Sequence, residues 1–277
     1  MQVGQPSRTA MATAQARAYH QLADEPRIFT DPLAVLIVGG EAAARDNEFD
    51  RGVDPEFARR RRLFLATRSR FADDTVAEAV AAGIRQVVIL GAGMDTAAYR
   101  NQHPDVRYFE VDHPDTQHWK RNRLAETGID VPPTLTFTPV DFHRDSLADG
   151  LARAGFDRTA GAAFVWLGVL VYLELDAIRD TLRYMGTQGG GSVAVFDYSY
   201  PPDAAQQARG QRVARAGEPW VSFFTAEQMR AELESAGFTE IDDRAATAAM
   251  AAYTGDLATT PALSGPHLVR ARTSAAR

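Results

Sequence analysis

Gln86-Val-Val-Ile-Leu-Gly-Ala-Gly-Met-Asp-Thr96 decides how this chain is read. The apolar run Val87 to Leu90 has the composition of a parallel strand buried on both faces. Gly91 and Gly93 follow at once and let the backbone turn sharply at the strand's carboxyl end, where open α/β sheets hold their ligands. A dinucleotide fingerprint, GxGxxG, needs its third glycine so that the next helix can close on a pyrophosphate. Here that slot holds Thr96. The turn therefore suits a cofactor without a pyrophosphate.

Outward from this turn, strand and helix patterns alternate, which predicts an α/β fold: a parallel, Rossmann-like sheet with helices on both faces. Strands are expected at Val106–Val111, Leu135–Val140, Ala162–Leu167 and Ser192–Asp197, with final strands at Phe238–Ile241 and His267–Arg272. Helices are expected at Asp95–Gln102, Asp115–Thr127 and Ser146–Ala154. Another, capped by Asp176, should end near Met185. Thr225-Ala-Glu-Gln228 reads as a capping box opening a helix to Ala236. The chain is read as one domain: a helical cap over residues 1–85, a core over 86–198, a lid insertion over 199–224 and a completion of the sheet over 225–277. Within the cap, helices are expected at Ser7–Leu22, Asp31–Val38 and Pro55–Ala82. The alanine-rich N-terminus, free of acidic residues before Asp24, has the composition of a transit peptide, but a helix N-capped by Ser7 is the preferred reading.

Bulk properties narrow the function. The net charge of −6 argues against a nucleic-acid partner. The longest apolar run, Phe164 to Leu173, is about half the length that a membrane span needs, so a soluble, cytoplasmic protein is expected. Without cysteine there are no disulfides, thiol nucleophiles or Cys-zinc sites. No metal site is expected either: His113 and His118 are five residues apart, on different sides of a helix. Oligomeric state cannot be read.

The second strand ends in Glu110-Val-Asp112. Asp112, at its tip, comes nineteen residues after Gly93, close to the offset at which a carboxylate grips ribose hydroxyls in nucleoside-binding folds. At the third strand's end, Asp141 can accept from an adenine amino group while Phe142 lies against the ring, although the same pattern occurs where no ligand binds. S-adenosylmethionine (SAM) is a nucleoside cofactor that meets these terms.

Ser7-Arg-Thr-Ala, Asp31-Pro-Leu-Ala, Arg68-Ser-Arg-Phe-Ala-Asp-Asp74, VVILGAGMDTAAYR from Val87, YFEVDHP from Tyr108, VDF from Val140, GVLVYL from Gly168 and VFDY from Val195 follow one another in this order. In this the chain resembles the leucine carboxyl methyltransferase-like family, and more narrowly its bacterial branch of SAM-dependent O-methyltransferases, some linked to polyketide pathways. The resemblance covers about residues 5 to 245 and implies the class I methyltransferase fold. It puts Gly91 and Gly93 against the methionine part of SAM, Asp112 on the ribose, and Asp141 and Phe142 beside the adenine. Arg68 is implied to pair with the SAM carboxylate, with Arg70 as rival if the helix phase differs, and Arg8 to reach the cofactor or a negative group of the substrate. Two positions depart from the pattern. Leu167 stands where many relatives carry an acidic residue that holds the cofactor's amino end, and Ala97 where many carry arginine.

The expected reaction is methyl transfer to an oxygen of a small-molecule acceptor, carboxyl ahead of phenol. A carboxylate is already ionised at neutral pH, whereas a phenol benefits from a base. No base is evident. His143 follows the third strand but reads better as a surface residue. Tyr172 and Tyr198, after the fourth and fifth strands, are candidates to orient an acceptor oxygen, with core or rim packing as an equal alternative for either. Arg59-Arg-Arg-Arg62 reads as a solvated helix surface, with attraction of an acidic partner as the alternative. The competing functions are a SAM-fold protein that catalyses a cyclisation or rearrangement without methylating, and a non-enzymatic binding module of a biosynthetic pathway.

Overall fold

The computed structural model describes residues 7–141, 144–202, 207, 210–211, 214, 217, 219–255 and 265–274. Seven strands form one sheet: β1 (Gln86–Leu90), β2 (Arg107–Asp112), β3 (Leu135–Pro139), β4 (Ala162–Trp166), β5 (Ser192–Ser199), β6 (Glu240–Ala245) and β7 (Pro266–Arg272). Their order is β3-β2-β1-β4-β5-β7-β6. The first five are parallel, and β7 pairs antiparallel with both β5 and β6. β1 is buried throughout, as its unbroken apolar run requires of a central strand. Chain order reverses between β1 and β4, so the glycine turn lies at the sheet's switch point.

The two faces carry separate cores because side chains alternate along each strand. Phe109, Phe164, Trp166, Phe196 and Tyr198 pack on one face under α6 (Leu147–Arg153), α7 (Leu175–Gly186) and α8 (Ala226–Ser235). Val87, Ile89, Tyr108, Val165 and Val195 pack on the other, under the long α4 (Pro55–Ala81) and α9 (Ala246–Thr254). Asp54 caps α4, its side chain accepting from Phe57 N at 3.0 Å, with Pro55 in the first turn. In α5 (Pro114–Thr127) the cap is the His113 ring, and the left-handed Gly128 ends the helix. The capping box at Thr225 and Gln228 is present.

Several expectations need correction. No α-helix follows the glycine turn; a single 3-10 turn, Ala97–Arg100, takes its place. The Asp95 side chain accepts from Ala97 N at 2.7 Å and Thr96 is held elsewhere, so the chain drops into a tight turn before a helix can start. Glu174 is the N-cap residue of α7, and Asp176 lies inside its first turn. β6 runs from Glu240, and α9 was not foreseen.

The N-terminal helices clamp the glycine turn. α1 (Arg8–Ala23) is capped by Ser7, as expected, and α2 (Pro32–Val38) by Asp31, with the short α3 (Gly40–Ala43) following. The fully buried Asp31 also accepts from Arg17 Nε at 3.2 Å and from Thr96 Oγ1 at 2.8 Å, while Arg17 Nη2 reaches the Met94 carbonyl at 2.7 Å. The threonine that replaces the third glycine is thus an anchor for the cap. The arginine run holds the same region down, contrary to its solvated reading. Arg62 is buried and grips Asp24 with two hydrogen bonds, Arg61 pairs with Asp50, and Arg59 donates to the Glu25 carbonyl. Only Arg60, paired with Glu56, is a surface residue of the expected kind.

Candidate cofactor and acceptor site

A cavity of about 1330 Å³ opens over the carboxyl ends of β1 to β5. Single-ligand pockets run to roughly 300–1,000 Å³, so this one has room for a cofactor and an acceptor together. Its floor is the glycine turn. Gly91 and Gly93 have φ of 62° and 45°, in the left-handed region that favours glycine. A Cβ at Gly91 would lie 2.4 Å from Val169 Cγ2, and one at Gly93 would lie 3.0 Å from Ala10 Cβ on α1. The turn is therefore closed in by the β4 loop on one side and by the cap on the other.

Asp112 and Asp141 line the β2–β3 side of this cavity. The Asp112 carboxylate accepts from Gly93 N at 2.5 Å and His113 N at 2.6 Å, which sets its direction beside the turn. Burial pushes its carboxyl up from the ordinary range, and these two N–H groups oppose the rise. A carboxylate has about four acceptor sites, so two remain for ribose hydroxyls. Asp141 lies 3.9 Å from His113 Nε2, while His113 Nδ1 accepts from Asp115 N and fixes the ring. Beneath the turn, Glu110 shares the face of Asp112, as expected from alternation. Its buried carboxylate receives Lys120 Nζ at 2.8 Å, and the same Nζ reaches the Asp95 carbonyl at 2.7 Å. This brace between β2, α5 and the turn had no signal in the sequence beyond the acidic residue at 110. His118 faces Asn122, away from His113. Phe142 and His143 lie outside the described residues.

The β4–β5 side of the cavity carries Arg68, Gly168 and Asp197. Arg68 lines the cavity, whereas Arg70 pairs with Asp74 on the exposed side of α4, so the helix phase favours Arg68. Arg68 Nη1 donates to Asp197 Oδ2 at 3.1 Å, and Gly168 N donates to Asp197 Oδ1 at 2.6 Å. Leu167 lines the same wall, but Ala97 does not. Arg8 pairs with Glu48 and lies over the Phe49 ring, and is not part of the cavity lining.

Farther from the turn the lining becomes mainly apolar: Phe57, Phe64, Val171, Trp220 and Phe223 surround it, with Arg60, Arg61, Glu174 and Asp180 among them and Tyr172 at the end of the 3-10 turn Leu170–Tyr172. Val221 N and Ser222 N donate to the Val171 carbonyl and Ser222 Oγ to the Leu173 carbonyl, which holds the end of the stretch read as a lid insertion against this wall. The rest of that insertion lies largely outside the described residues. Tyr198, the other tyrosine candidate, is not in the cavity. It belongs to the opposite face of β5, its hydroxyl donates to Asp243 at 2.7 Å, and its ring packs on Tyr200 and His267. The residues on either side of it, Asp197 and Ser199, are the ones that line the cavity. Of the two readings of Tyr198, core packing is the one this geometry fits.

The sequence profile of the leucine carboxyl methyltransferase family matches residues 10–186, which hold most of the cap, the glycine turn and the β2–β3 side of the cavity, while Asp197 lies beyond the match. The chain belongs to this family. A Bacillus subtilis relative, provisionally named as the S-adenosyl-L-methionine-dependent methyltransferase YktD, is 30% identical over 269 residues, covering 86% of this chain and 88% of its own. A Mycolicibacterium vanbaalenii relative with the same provisional naming is 33% identical over 233 residues, covering 77% and 74%. Among solved structures, a DUF574-family protein from Streptomyces avermitilis superposes with a TM-score of 0.59 at 17% identity, over 94% of this chain and 97% of that one. A methyltransferase, provisionally so named, from Thermobifida fusca gives 0.57 at 18% identity over 98% and 96%. At such identities these two show the fold, which is the class I methyltransferase fold expected from the sequence. The family and its SAM-dependent relatives agree with the cofactor read from the glycine turn.

Proposed function

We propose that this chain transfers a methyl group from SAM to an oxygen of a small-molecule acceptor, a carboxylate ahead of a phenol, of the kind made in natural-product pathways. The carrying observation is the cavity itself: glycine turn and carboxylates at one end, an apolar chamber at the other, with room for both ligands. When bound, SAM supplies a methyl group on a sulfonium, which is a good leaving group. The chain's task is to align, and alignment is worth roughly 7–11 kcal/mol of a barrier. Gly91 and Gly93 give the methionine part close access to backbone. Asp112 accepts from the ribose, Asp141 from the adenine amino group, and Arg68 is oriented for the carboxylate. The adenine contact from Phe142 rests on the family resemblance. Tyr172 is the remaining candidate to orient the acceptor oxygen.

Among the described residues lining the cavity, the only histidine is His113, already used as a helix cap, and there is no lysine. An acceptor ionised beforehand fits such a wall better than one that must lose a proton. The family's name, which refers to carboxyl methylation, points the same way, and the net charge of −6 is in keeping with a small molecule rather than a nucleic acid. The test is methyl-labelled SAM with a panel of aliphatic and aromatic carboxylic acids and phenols. Label released as methanol by mild alkali identifies an ester; alkali-stable label on oxygen identifies the phenol reading. Label on nitrogen or carbon, or an acceptor rearranged while SAM is left intact, would overturn the proposal.

A further inference from the structure

The tips of the parallel strands are chemically ordered around the glycine turn. Asp112 and Asp141 lie on the β2–β3 side, while Gly168 and Asp197 lie on the β4–β5 side, next to Arg68. With nucleoside contacts on the first side, the amino-acid end of the cofactor is left facing the second. Next to the turn on that side Arg68 and Asp197 form an ion pair, both lining the cavity and each with a side chain only 10% exposed.

Both partners of this pair have capacity to spare. Asp197 accepts one hydrogen bond on each oxygen, from Gly168 N and Arg68 Nη1, and a carboxylate offers about two sites per oxygen. Arg68 has five donors, of which one meets Asp197. The contact is through a single nitrogen at 3.1 Å and is not the two-pronged fork of a self-contained Arg–Asp bridge. Gly168 lets the guanidinium approach: a Cβ there would lie 2.9 Å from Arg68 Nη1. A ligand end carrying a carboxylate beside an ammonium would complete both charges.

We propose that Asp197 binds the α-ammonium group of the cofactor's amino-acid end, with Arg68 taking the neighbouring carboxylate. This assignment rests on the SAM reading above and adds the group that recognises the amine. Asp197 becomes a binding residue, in addition to bracing Arg68 and Gly168.

Titration calorimetry on the full chain separates the two roles. The ligands are S-adenosylhomocysteine and its analogue with hydrogen in place of the α-amino group. The wild type should prefer the amine-bearing ligand by about 10- to 100-fold, the range for hydrogen bonds to charged groups. Asp197→Asn keeps the size of the side chain and an oxygen for Gly168 N. It should lose most of that preference, while binding the analogue within about 3-fold of the wild type. Equal weakening of both ligands in Asp197→Asn would mean bracing alone and overturn the proposal, as would an unchanged preference. Should the variant fail to fold, the wild type decides: equal affinity for the two ligands overturns the assignment. Wild type that binds neither sinks the cofactor reading itself.

Discussion

A methyl group added at Gly91 has nowhere to go, because Val169 Cγ2 already occupies its position and the backbone φ of 62° is one that side chains avoid. Gly91→Ala should therefore cost about 1–3 kcal/mol of stability, measured by urea unfolding. Adding Val169→Ala should return the part due to contact and leave the part due to backbone. Full recovery in the double variant would show that φ strain contributes nothing. At this scale the place of Asp112 beside the turn was legible, because it depends on an offset from Gly93 and a position at a strand tip. Asp197 was not, since its surroundings are set by Arg68, 129 positions away in the chain. Tyr198 drew attention as an aromatic hydroxyl near a strand end, but the alternation that buries Phe196 on one face carries Tyr198 there as well. Thr96 was understood only as a missing glycine; its bond to Asp31 joins two motifs that had been read separately.

Among elements, the brace of Glu110 and Lys120 gives β2 and α5 a pH-dependent joint. Burial pushes the Glu110 carboxyl up to about 7 from an ordinary 4.5, with Lys120 opposing the rise. Below about pH 4.5 the group is protonated whether the chain is folded or not. As pH rises from there toward 7, the unfolded chain loses the proton first and the folded state loses stability, roughly 3 kcal/mol in all. Glu110→Gln cannot titrate, so its unfolding free energy should gain on that of the wild type by this amount across the window. Parallel profiles for the two proteins would refute the claim. The central strands were legible because burial on both faces leaves an unbroken apolar run. β6 was harder: its Asp242, Asp243 and Arg244 are only half-buried and find partners in Arg270, His267 and each other, so the strand shows no apolar pattern. α9 is mostly alanine and threonine, with Met250 and Tyr253, and has little contrast between its faces, which hides its period.

For the whole molecule, the α/β alternation and the N-terminal helices were expected from the sequence, but the strand order and the size and character of the chamber were not. It is formed where residues from α1, α4, the β4 loop and the end of the lid insertion converge, and convergence has no linear signature. Among the described residues no helix is long and apolar enough to cross a membrane. The cap described above has a kinetic consequence. α1 lies on the glycine turn, Asp31 and Arg17 fasten it there, and on the proposed reading cofactor and acceptor share one cavity. The ligand seated against the turn must then arrive before the one in the apolar chamber and depart after it. Initial-rate measurements should accordingly show a compulsory order, with S-adenosylhomocysteine competing against SAM but not against the acceptor. Substitutions at Asp31 or Thr96, neither of which lines the cavity, should then speed the escape of the spent cofactor. Random-order kinetics would mean that the clasp opens freely.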